Sequence, residues 1–379
     1  MRLVINKSHL AQALHQVTRA IPSRTPKPIL YGIKLMATED SVFITAYNLE
    51  IGIETQITNT DLDAEPILQI QEPGAIVLTS RYFVDIVRKL PQSLIRIDVK
   101  DLTATISSGS ATFVLNGMDA REYPLLPDVQ DDRGFSLQSD ILKSLINHTS
   151  YAVATVESRP TLTGVLWTYN DGLLTLTATD SHRLSKESIP SDSQKDYALI
   201  DSIIPGKSLN ELAKILPDSD SLVDILVANN QALFRFGMVR FYSRLLEGNY
   251  PDTSRIIPNT FRTNIIIATK SLLESIERAA LLARDTENQV IRMHLRPHQI
   301  EVSCQSPEIG KITETLEPKS FEGEEMFLAC NAKYLIDALH VILTEEVKIA
   351  FTGPGSAFVI KPVDHERHLQ LILPVRFVN

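Results

Sequence analysis

One pattern of residues recurs three times along this chain of 379 residues, at a spacing of about one third of its length. It is clearest in three segments that begin 126 residues apart: RYFVDIVRKLP at Arg81, KSLNELAKILP at Lys207 and KYLIDALHVIL at Lys333. ITAYN (44–48) likewise returns as LTATD (176–180) and VSCQS (302–306). The unit is far longer than solenoid repeats of roughly 20–50 residues and has the size of a domain. The sequence therefore predicts three tandem domains, at residues 1–128, 129–254 and 255–379.

Each repeat combines two amphipathic helices with a run of short strands. The first helix is indicated by apolar spacing that recurs in the three copies: Leu10, Leu14 and Val17; Leu142, Ile146 and Thr149; Leu272, Ile276 and Ala279. Strands alternate apolar and polar residues around short polar turns such as Glu39-Asp40, a pattern typical of hairpins. About eight strands to two helices predicts α+β domains with mostly antiparallel sheet, whose buried face the helices cover.

Charge is divided between the predicted helices and the rest of the chain. The net charge of −9 argues against general affinity for nucleic acid. The six predicted helical segments nevertheless carry a summed charge of +6, which leaves −15 elsewhere. This division indicates two surfaces with different tasks, although lysine and arginine are also good helix formers on solvated faces.

Three motifs that resemble catalytic or metal sites fail on spacing or geometry. IIPGKS (203–208) lacks the first glycine of a phosphate-binding loop, because Asp201 stands at that position. DHERH (364–368) falls between two strands and is expected to form a solvated hairpin tip rather than a metal site. Asp180, Ser181 and His182 are consecutive in sequence, whereas Ser-His-Asp sites are assembled from distant residues. The sequence therefore predicts a non-enzyme with no metal and no cofactor.

The expected compartment is the cytoplasm. No apolar run approaches the ~18–20 residues of a membrane-spanning helix. Cys304 and Cys330 are the only cysteines and form no CxxC pair, so buried free thiols in a reducing compartment are expected.

Several longer motifs together resemble one known family. They are SRTPKPILYGIKL, ESRPTLTGV, TATDSHRL, IIPGKSLNELAKIL, SRLLEGNYPD, QSPEIGK and the final LQLILPVR. Their order and separation are similar to those of the bacterial DNA sliding clamp, the beta subunit of DNA polymerase III, in its low-GC Gram-positive form. The resemblance implies a head-to-tail homodimeric ring around duplex DNA, without sequence specificity. It also implies a processivity factor that tethers DNA polymerase, the clamp loader and repair proteins through their short linear motifs.

Simple geometry agrees with a ring of two chains. Neighbouring helices are ~10 Å thick and pack ~10 Å apart, so six in a ring leave a hole of only ~9 Å. Twelve leave a hole of roughly 28 Å, which admits a duplex roughly 20 Å across. Contacts across such a gap are few and directed at phosphates, so they carry no sequence information.

The resemblance also assigns site residues, by matching motif positions. A partner-peptide pocket is implied at the junction of the second and third domains, with apolar members holding leucine or phenylalanine anchors and Arg183 and Arg376 fixing polar groups. Its members are Leu162, Thr179, His182, Arg183, Leu184, Pro251, Arg255, Ile256, Leu371, Leu373, Pro374, Val375 and Arg376. The positions implied to face DNA are Arg24, Arg159 and Lys207, and those implied to form the dimer interface are Phe113, Leu281 and Leu282.

Some residues depart from the family pattern. Ala46 and Asn48 stand where glycine and aspartate are usual, which predicts an altered turn in the first domain. Ser185 and the two residues after it replace a small apolar start, which predicts an altered pocket rim. Three alternatives stay open: a specialised clamp of a phage, a plasmid or a second gene copy; a monomeric peptide-binding replication adaptor; and an enzyme that uses Asp180 and His182.

Overall fold

The computed structural model describes residues 1–59, 67–129, 134–156, 158–170, 172–190, 199–228, 230–284 and 289–375. Within these ranges it contains six α-helices and 26 β-strands. Their order repeats three times: one strand, a helix, four or five strands, a second helix and three strands. The predicted α+β class and the threefold repeat are confirmed.

Copy one comprises β1 to β9. Its helices are α1 (Lys7–Val17) and α2 (Ser80–Lys89). Its strands are β1 (Arg2–Asn6), β2 (Gly32–Ala37), β3 (Ser41–Tyr47), β4 (Ile51–Thr58), β5 (Leu68–Glu72), β6 (Gly74–Thr79), β7 (Leu94–Lys100), β8 (Thr103–Ser108) and β9 (Ala111–Asn116). The predicted hairpin around Glu39-Asp40 is the antiparallel pair β2–β3.

Copy two comprises β10 to β17, with helices α3 (Ser139–Ser150) and α4 (Gly206–Ala213). Its strands are β10 (Phe135–Gln138), β11 (Gly164–Asn170), β12 (Leu173–Thr179), β13 (Arg183–Pro190), β14 (Leu199–Pro205), β15 (Leu222–Ala228), β16 (Gln231–Phe236) and β17 (Val239–Arg244).

Copy three comprises β18 to β26, with helices α5 (Thr269–Ala283) and α6 (Ala332–His340). Its strands are β18 (Thr263–Ala268), β19 (Val290–Arg296), β20 (Gln299–Ser306), β21 (Gly310–Leu316), β22 (Ser320–Gly323), β23 (Met326–Asn331), β24 (Glu346–Phe351), β25 (Phe358–Pro362) and β26 (His368–Ile372).

The chain divides into two compact units, and each contains one large and one small sheet. Unit 1 comprises Met1–Leu142 and Lys207–Leu245, and unit 2 comprises Lys143–Gly206 and Leu246–Asn379. Unit 1 holds an eight-stranded sheet, β10-β15-β16-β17-β4-β3-β2-β6, and a five-stranded sheet, β5-β1-β7-β8-β9. Unit 2 holds a nine-stranded sheet, β14-β11-β12-β13-β26-β25-β24-β18-β22, and a four-stranded sheet, β21-β20-β19-β23. Strands of copy two therefore take part in both large sheets.

The helices cover the sheets through the predicted apolar stripes. In copy three, Leu272, Ile276 and Ala279 of α5 are fully buried in one core with residues of α6 and of both unit 2 sheets. The corresponding residues of α1 and α3 are buried as well. Asn331 caps α6 by accepting a hydrogen bond from the Tyr334 amide at 3.2 Å, which satisfies one of the free N–H groups at the helix start.

A tyrosine braces the end of β3 in copy one. The Tyr123 hydroxyl accepts a hydrogen bond from the Tyr47 amide at 2.9 Å and donates one to the Gly32 carbonyl at 3.3 Å. Burial raises the pKa of Tyr123 to about 12, so the hydroxyl keeps its proton at neutral pH. Tyr123 is followed by Pro124, and the same Tyr-Pro pair recurs at Tyr250-Pro251 in copy two, so in copy one this repeated pair is a structural brace.

The structure tests the predictions made for the two cysteines and for the DHERH segment. Cys304 and Cys330 are free and buried, as predicted. In the DHERH segment, Asp364 and His365 are exposed, but His368 begins β26 and is only 1% exposed. The prediction of a solvated tip was therefore wrong at His368, because the strand turns this side chain inward opposite Glu187. Across the described ranges, no helix is long and apolar enough to cross a membrane.

Candidate binding groove

The TDSHR motif forms a tight turn between β12 and β13. Asp180 Oδ1 accepts hydrogen bonds from the amides of His182 at 2.9 Å and Arg183 at 3.0 Å. Ser181 has a φ of 80°, in the left-handed region that a turn of this kind requires. The turn leaves the His182 side chain exposed and directs Arg183 into the interior.

The Arg183 guanidinium is held by groups of the protein itself. Its Nε lies 3.0 Å from Asp180 Oδ2, and its Nη1 lies 2.6 Å from Asp337 Oδ2 on α6. The rings of Tyr334 and Tyr151 lie 4.7 Å and 5.4 Å from the guanidinium carbon. Since the arginine is only 7% exposed, the two carboxylates compensate a buried charge that would otherwise be costly.

A surface pocket of about 440 Å³ lies beside this turn. Its volume falls within the ~300–1,000 Å³ of ordinary ligand sites. His182 and Tyr334 form one wall, with their rings stacked at a centroid distance of 6.3 Å. Buried Leu162 and exposed Arg159 also line it. The pocket therefore brings together three predicted peptide-site residues, His182, Arg183 and Leu162, and one residue that was predicted to face DNA.

An apolar cluster lies where β13 pairs with β26. Leu184 is opposite Leu371, and both pack with Val359 in one buried group. Ile257 and Phe261 pack against this group while staying partly exposed. Leu373, just past the end of β26, is 41% exposed, and its amide donates a hydrogen bond to the His182 carbonyl at 2.9 Å. The apolar cluster is thus tied through the backbone to the turn that carries His182.

The segment that follows β17 also reaches this turn. The Tyr250 hydroxyl accepts a hydrogen bond from the Thr179 amide at 3.0 Å, and burial raises the pKa of Tyr250. Pro251, Arg255 and Ile256 are exposed just beyond it. Tyr250 therefore anchors the start of the segment on which these three predicted site residues lie.

The end of the described chain extends β26. Pro374 is buried, Val375 is partly buried, and the Val375 amide donates a hydrogen bond to the Ala329 carbonyl at 2.8 Å. Arg376 lies outside the described residues. The structure thus ties Leu373 to the turn and Val375 to β23, and the binding roles of these residues and of Arg376 stay predictions.

The other predicted residues are distributed over both units. Arg24 and Lys207 are exposed in unit 1. Phe113 on β9 is 40% exposed and Leu281 on α5 is 55% exposed, as an interface would require before it forms. Leu282 differs, because it packs partly buried against the core of copy three.

Sequence reasoning missed four residues of the groove. Two of them, Tyr334 and Asp337, lie on α6 and contact Arg183; the sequence of this helix had served only to identify the repeat. The other two are Tyr151, whose ring lies by Arg183, and Tyr250, whose hydroxyl accepts from the Thr179 amide. Tyr334 and Asp337 are three residues apart on one helical face, which was the available signal. Of the departing residues 185–187, Ser185 is fully buried and donates a hydrogen bond to the His148 carbonyl at 2.6 Å, so this side chain does not lie on the rim.

Comparison with known proteins finds one family that matches all three copies of the repeat. Family models of the DNA polymerase III beta subunit match its N-terminal domain at residues 1–127, its central domain at 136–252 and its C-terminal domain at 254–376. The beta sliding clamp of Bacillus subtilis is 44% identical over 378 residues, 99% of this chain and 100% of the relative. That of Halalkalibacterium halodurans is 45% identical, over 99% of this chain and 100% of the relative. The crystal structure of the Bacillus subtilis DNA polymerase sliding clamp superposes with a TM-score of 0.96, covering 100% of both chains at 44% identity. The chain belongs to the DNA polymerase III beta subunit family, the beta sliding clamps.

Proposed function

We propose that two copies of this chain close head-to-tail into a ring around duplex DNA, and that the groove of unit 2 tethers DNA polymerase and other replication and repair proteins. As a member of its family, the chain is a non-catalytic processivity subunit of DNA polymerase III. Because the proposed substrate is the duplex DNA of a bacterium, the proposal places the chain in the cytoplasm.

The observation that carries the dimer is the number of strands in the four sheets. Each large sheet joins strands of neighbouring copies, by β4–β17 in unit 1 and β13–β26 in unit 2. The small sheets, with five and four strands, each come from one copy and end at the strands β9 and β21. Pairing β9 with the β21 of a second chain would build a nine-stranded sheet like that of unit 2. An edge strand with unpaired backbone groups favours such pairing.

The side chains on β9 support this pairing. Phe113 and Val114 are 40% and 64% exposed on this strand, although large apolar residues are usually buried. A head-to-tail contact uses two different surfaces, and a second copy of the same contact closes the ring of two chains. The proposed interface therefore combines β9 and Phe113 of one chain with β21 and Leu281 of the other.

The proposed contact with DNA is loose. Arg24, Arg159 and Lys207 are exposed, and the helical segments carry only a modest positive charge within a chain of net charge −9. Strong neutralisation of phosphates would hold the ring at one place and make its affinity steeply salt-dependent. A weakly basic lining retains the ring by enclosure and allows it to slide.

In the groove, the proposed ligand is an extended peptide with one or two large apolar anchors. Ile257 and Phe261, partly exposed beside the buried Leu184 and Leu371, offer apolar surface near the exposed Leu373, and the pocket beside His182 is lined by Leu162. Burial of two anchors supplies roughly 3–6 kcal/mol, less the cost of ordering the peptide, so single peptides bind at micromolar strength. Because Arg183 is engaged with Asp180 and Asp337, its proposed role is to position the turn and Tyr334.

Light scattering at micromolar concentration tests the ring. The chain should have the mass of a dimer, and Phe113→Asp should give a folded monomer because it places a charge in the proposed interface. Leu343→Asp is the matched control, since Leu343 is 88% exposed and lies outside both proposed contact surfaces. A monomeric wild type, or a dimeric Phe113→Asp variant, would contradict the proposal and favour a monomeric adaptor.

Retention on DNA tests enclosure. After loading onto circular duplex DNA, the ring should persist in salt that removes ordinary binders and should leave when the circle is cut. Equal loss from circular and linear DNA would show that the chain does not encircle its substrate.

A further inference from the structure

A cluster of His148, Glu187 and His368 lies inside unit 2, at the seam between copies two and three. One nitrogen or oxygen atom from each side chain lies within 4.8 Å of the others. His148 Nδ1 is 2.7 Å from Glu187 Oε2, and the two imidazole rings stack at a centroid distance of 4.8 Å. The three residues come from α3, β13 and β26, so the cluster links three elements.

The cluster is buried and its rings are oriented by serine hydroxyls. Glu187 is 8% exposed and His368 is 1% exposed. Ser185 Oγ donates to the His148 carbonyl and lies 3.3 Å from His368 Nε2, while Ser144 Oγ lies 3.3 Å from His148 Nε2. Such outer partners fix the orientation and the tautomer of metal-binding histidines in known sites.

An opening to solvent adjoins the cluster. A surface pocket of about 710 Å³ has His148 and His368 in its wall, together with Asp364 and His365 of the turn before β26. The pocket offers an ion a path to the buried donors. It also leaves space for water, or for one of the two turn residues, as a further ligand.

We propose that His148, Glu187 and His368 are the protein ligands of a divalent transition-metal ion of the zinc class. Two imidazoles and a carboxylate, with one open position, are a frequent donor set for zinc. Adjacent donors in a tetrahedral zinc site are about 3.3 Å apart, so binding draws the widest pair together by roughly 1.5 Å. The two imidazole planes are nearly parallel, at 8°, so one ring must also rotate for both nitrogen lone pairs to meet the same ion. The ion replaces the hydrogen bond between His148 Nδ1 and Glu187 Oε2, and the ring proton of the neutral His148 is then carried on Nε2, beside Ser144 Oγ. Its effect is to fasten α3 and β13 of copy two to β26 of copy three.

The test uses the full chain without any affinity tag and zinc chloride as the only ligand. Calorimetric titration should show one ion per chain, and saturation should raise the melting temperature by several degrees because only the folded state carries the site. Glu187→Gln and His148→Gln should each weaken zinc binding by about 100-fold or more, since even outer-shell partners are worth about 10–100-fold.

The control is a histidine–carboxylate pair that lacks a second histidine. His340 Nε2 lies 3.0 Å from Glu277 Oε1 on the exposed side of the helices in the same unit, so His340→Gln should leave zinc affinity unchanged. A cooperative thermal unfolding transition, measured in the presence of a chelator, shows that each variant is folded without metal. If Glu187→Gln does not fold, the zinc affinity of His148→Gln, which changes a more exposed residue, is the deciding measurement. The proposal is overturned if the wild type binds no zinc below ~1 mM, or if both ligand variants bind it as the wild type does.

Discussion

The two large sheets join neighbouring copies at equivalent strands, but the side chains at the two seams differ in chemistry. In unit 1, β4 pairs with β17, and in unit 2, β13 pairs with β26. The inward pairs of the first seam are Ile51–Ser243, Ile53–Phe241 and Thr55–Val239. Those of the second seam are Arg183–Ile372, Ser185–Gln370 and Glu187–His368. The same pairing of strands thus carries mostly apolar side chains at the first seam and polar, ionisable side chains at the second.

The turns that lead into these seams are nearly the same. In copy one, Asn48 Oδ1 accepts hydrogen bonds from the amides of Glu50 at 2.9 Å and Ile51 at 2.7 Å, and Leu49 has a φ of 76°. These are the bonds that Asp180 makes in copy two. The expected alteration of the copy-one turn is therefore wrong, because an amide oxygen accepts the same hydrogen bonds as a carboxylate oxygen.

The first difference between the seams is the residue that follows each turn. Ile51 is a buried apolar residue, whereas Arg183 at the matching position has two carboxylates and two aromatic rings around it. A buried charge with its partners is costly to maintain and rarely improves stability over an apolar residue. Its presence at the second seam alone agrees with a binding function there.

Replacing the residue after each turn should separate stability from binding, and it has the largest expected effect. Arg183→Ala leaves Asp180 and Asp337 without their buried cation and should cost about 3–5 kcal/mol of folding free energy. Ile51→Ala should cost a similar ~2–5 kcal/mol through the cavity it creates. Only Arg183→Ala should weaken binding of a fluorescent peptide with leucine and phenylalanine anchors, by at least about tenfold.

Urea unfolding and fluorescence anisotropy measure the two effects on the same samples. An equal loss of peptide affinity in both variants would mean that general destabilisation, not the charged seam, controls the groove. Unchanged affinity in Arg183→Ala would remove Arg183 from the site altogether.

Acid should weaken the second seam before the first. The pKa of His368 is about 4 in the folded chain, lowered chiefly by burial, against about 6.5 when unfolded. Between these two pKa values the unfolded state therefore binds more protons than the folded state. The free energy of unfolding is highest above pH ~6.5 and falls, by up to about 3 kcal/mol, as the pH drops toward 4. Glu187 adds a loss in the same direction below its ordinary pKa, because its folded pKa is lowered.

The matched comparison uses the two seams. Strands β4 and β17 contain no histidine, so amide exchange, corrected for its intrinsic pH dependence, should show protection lost on β13 and β26 first. His368→Gln should reduce the dependence of urea stability on pH between ~6.5 and 4. An undiminished dependence in that variant would assign the acid sensitivity to other groups.

The elements of the fold were predictable from sequence, while the sharing of copy two between two sheets was not. Apolar periodicity identifies the buried face of a helix or strand, as at Leu272 and Ile276, because burial repeats with the geometry of the element. It does not identify which edge strand of the next copy will pair with β13. The same limit applies to the groove. The TDSHRL motif indicated His182 and Arg183, whereas Asp337 stands 154 residues from Arg183, and its spacing from Tyr334 on α6 does not indicate that it pairs with this arginine.

The smallest expected effect concerns the tyrosines that brace both turns. The Tyr123 hydroxyl accepts from the Tyr47 amide in copy one, and the Tyr250 hydroxyl accepts from the Thr179 amide in copy two. Replacing either tyrosine by phenylalanine keeps the ring but leaves a buried amide without its acceptor, which should cost about 1–3 kcal/mol.

If the two braces are equivalent, Tyr123→Phe and Tyr250→Phe should lower the urea midpoint by similar amounts, and only Tyr250→Phe should also weaken peptide binding. Tyr250 holds the segment on which Pro251 and Ile256 lie, so its loss loosens one side of the groove, while Tyr123 lies in unit 1. A stability loss confined to one variant would show that the repeated Tyr-Pro pair has diverged in role between the copies. A loss of peptide affinity in Tyr123→Phe would show that the groove depends on more of the chain than the second seam.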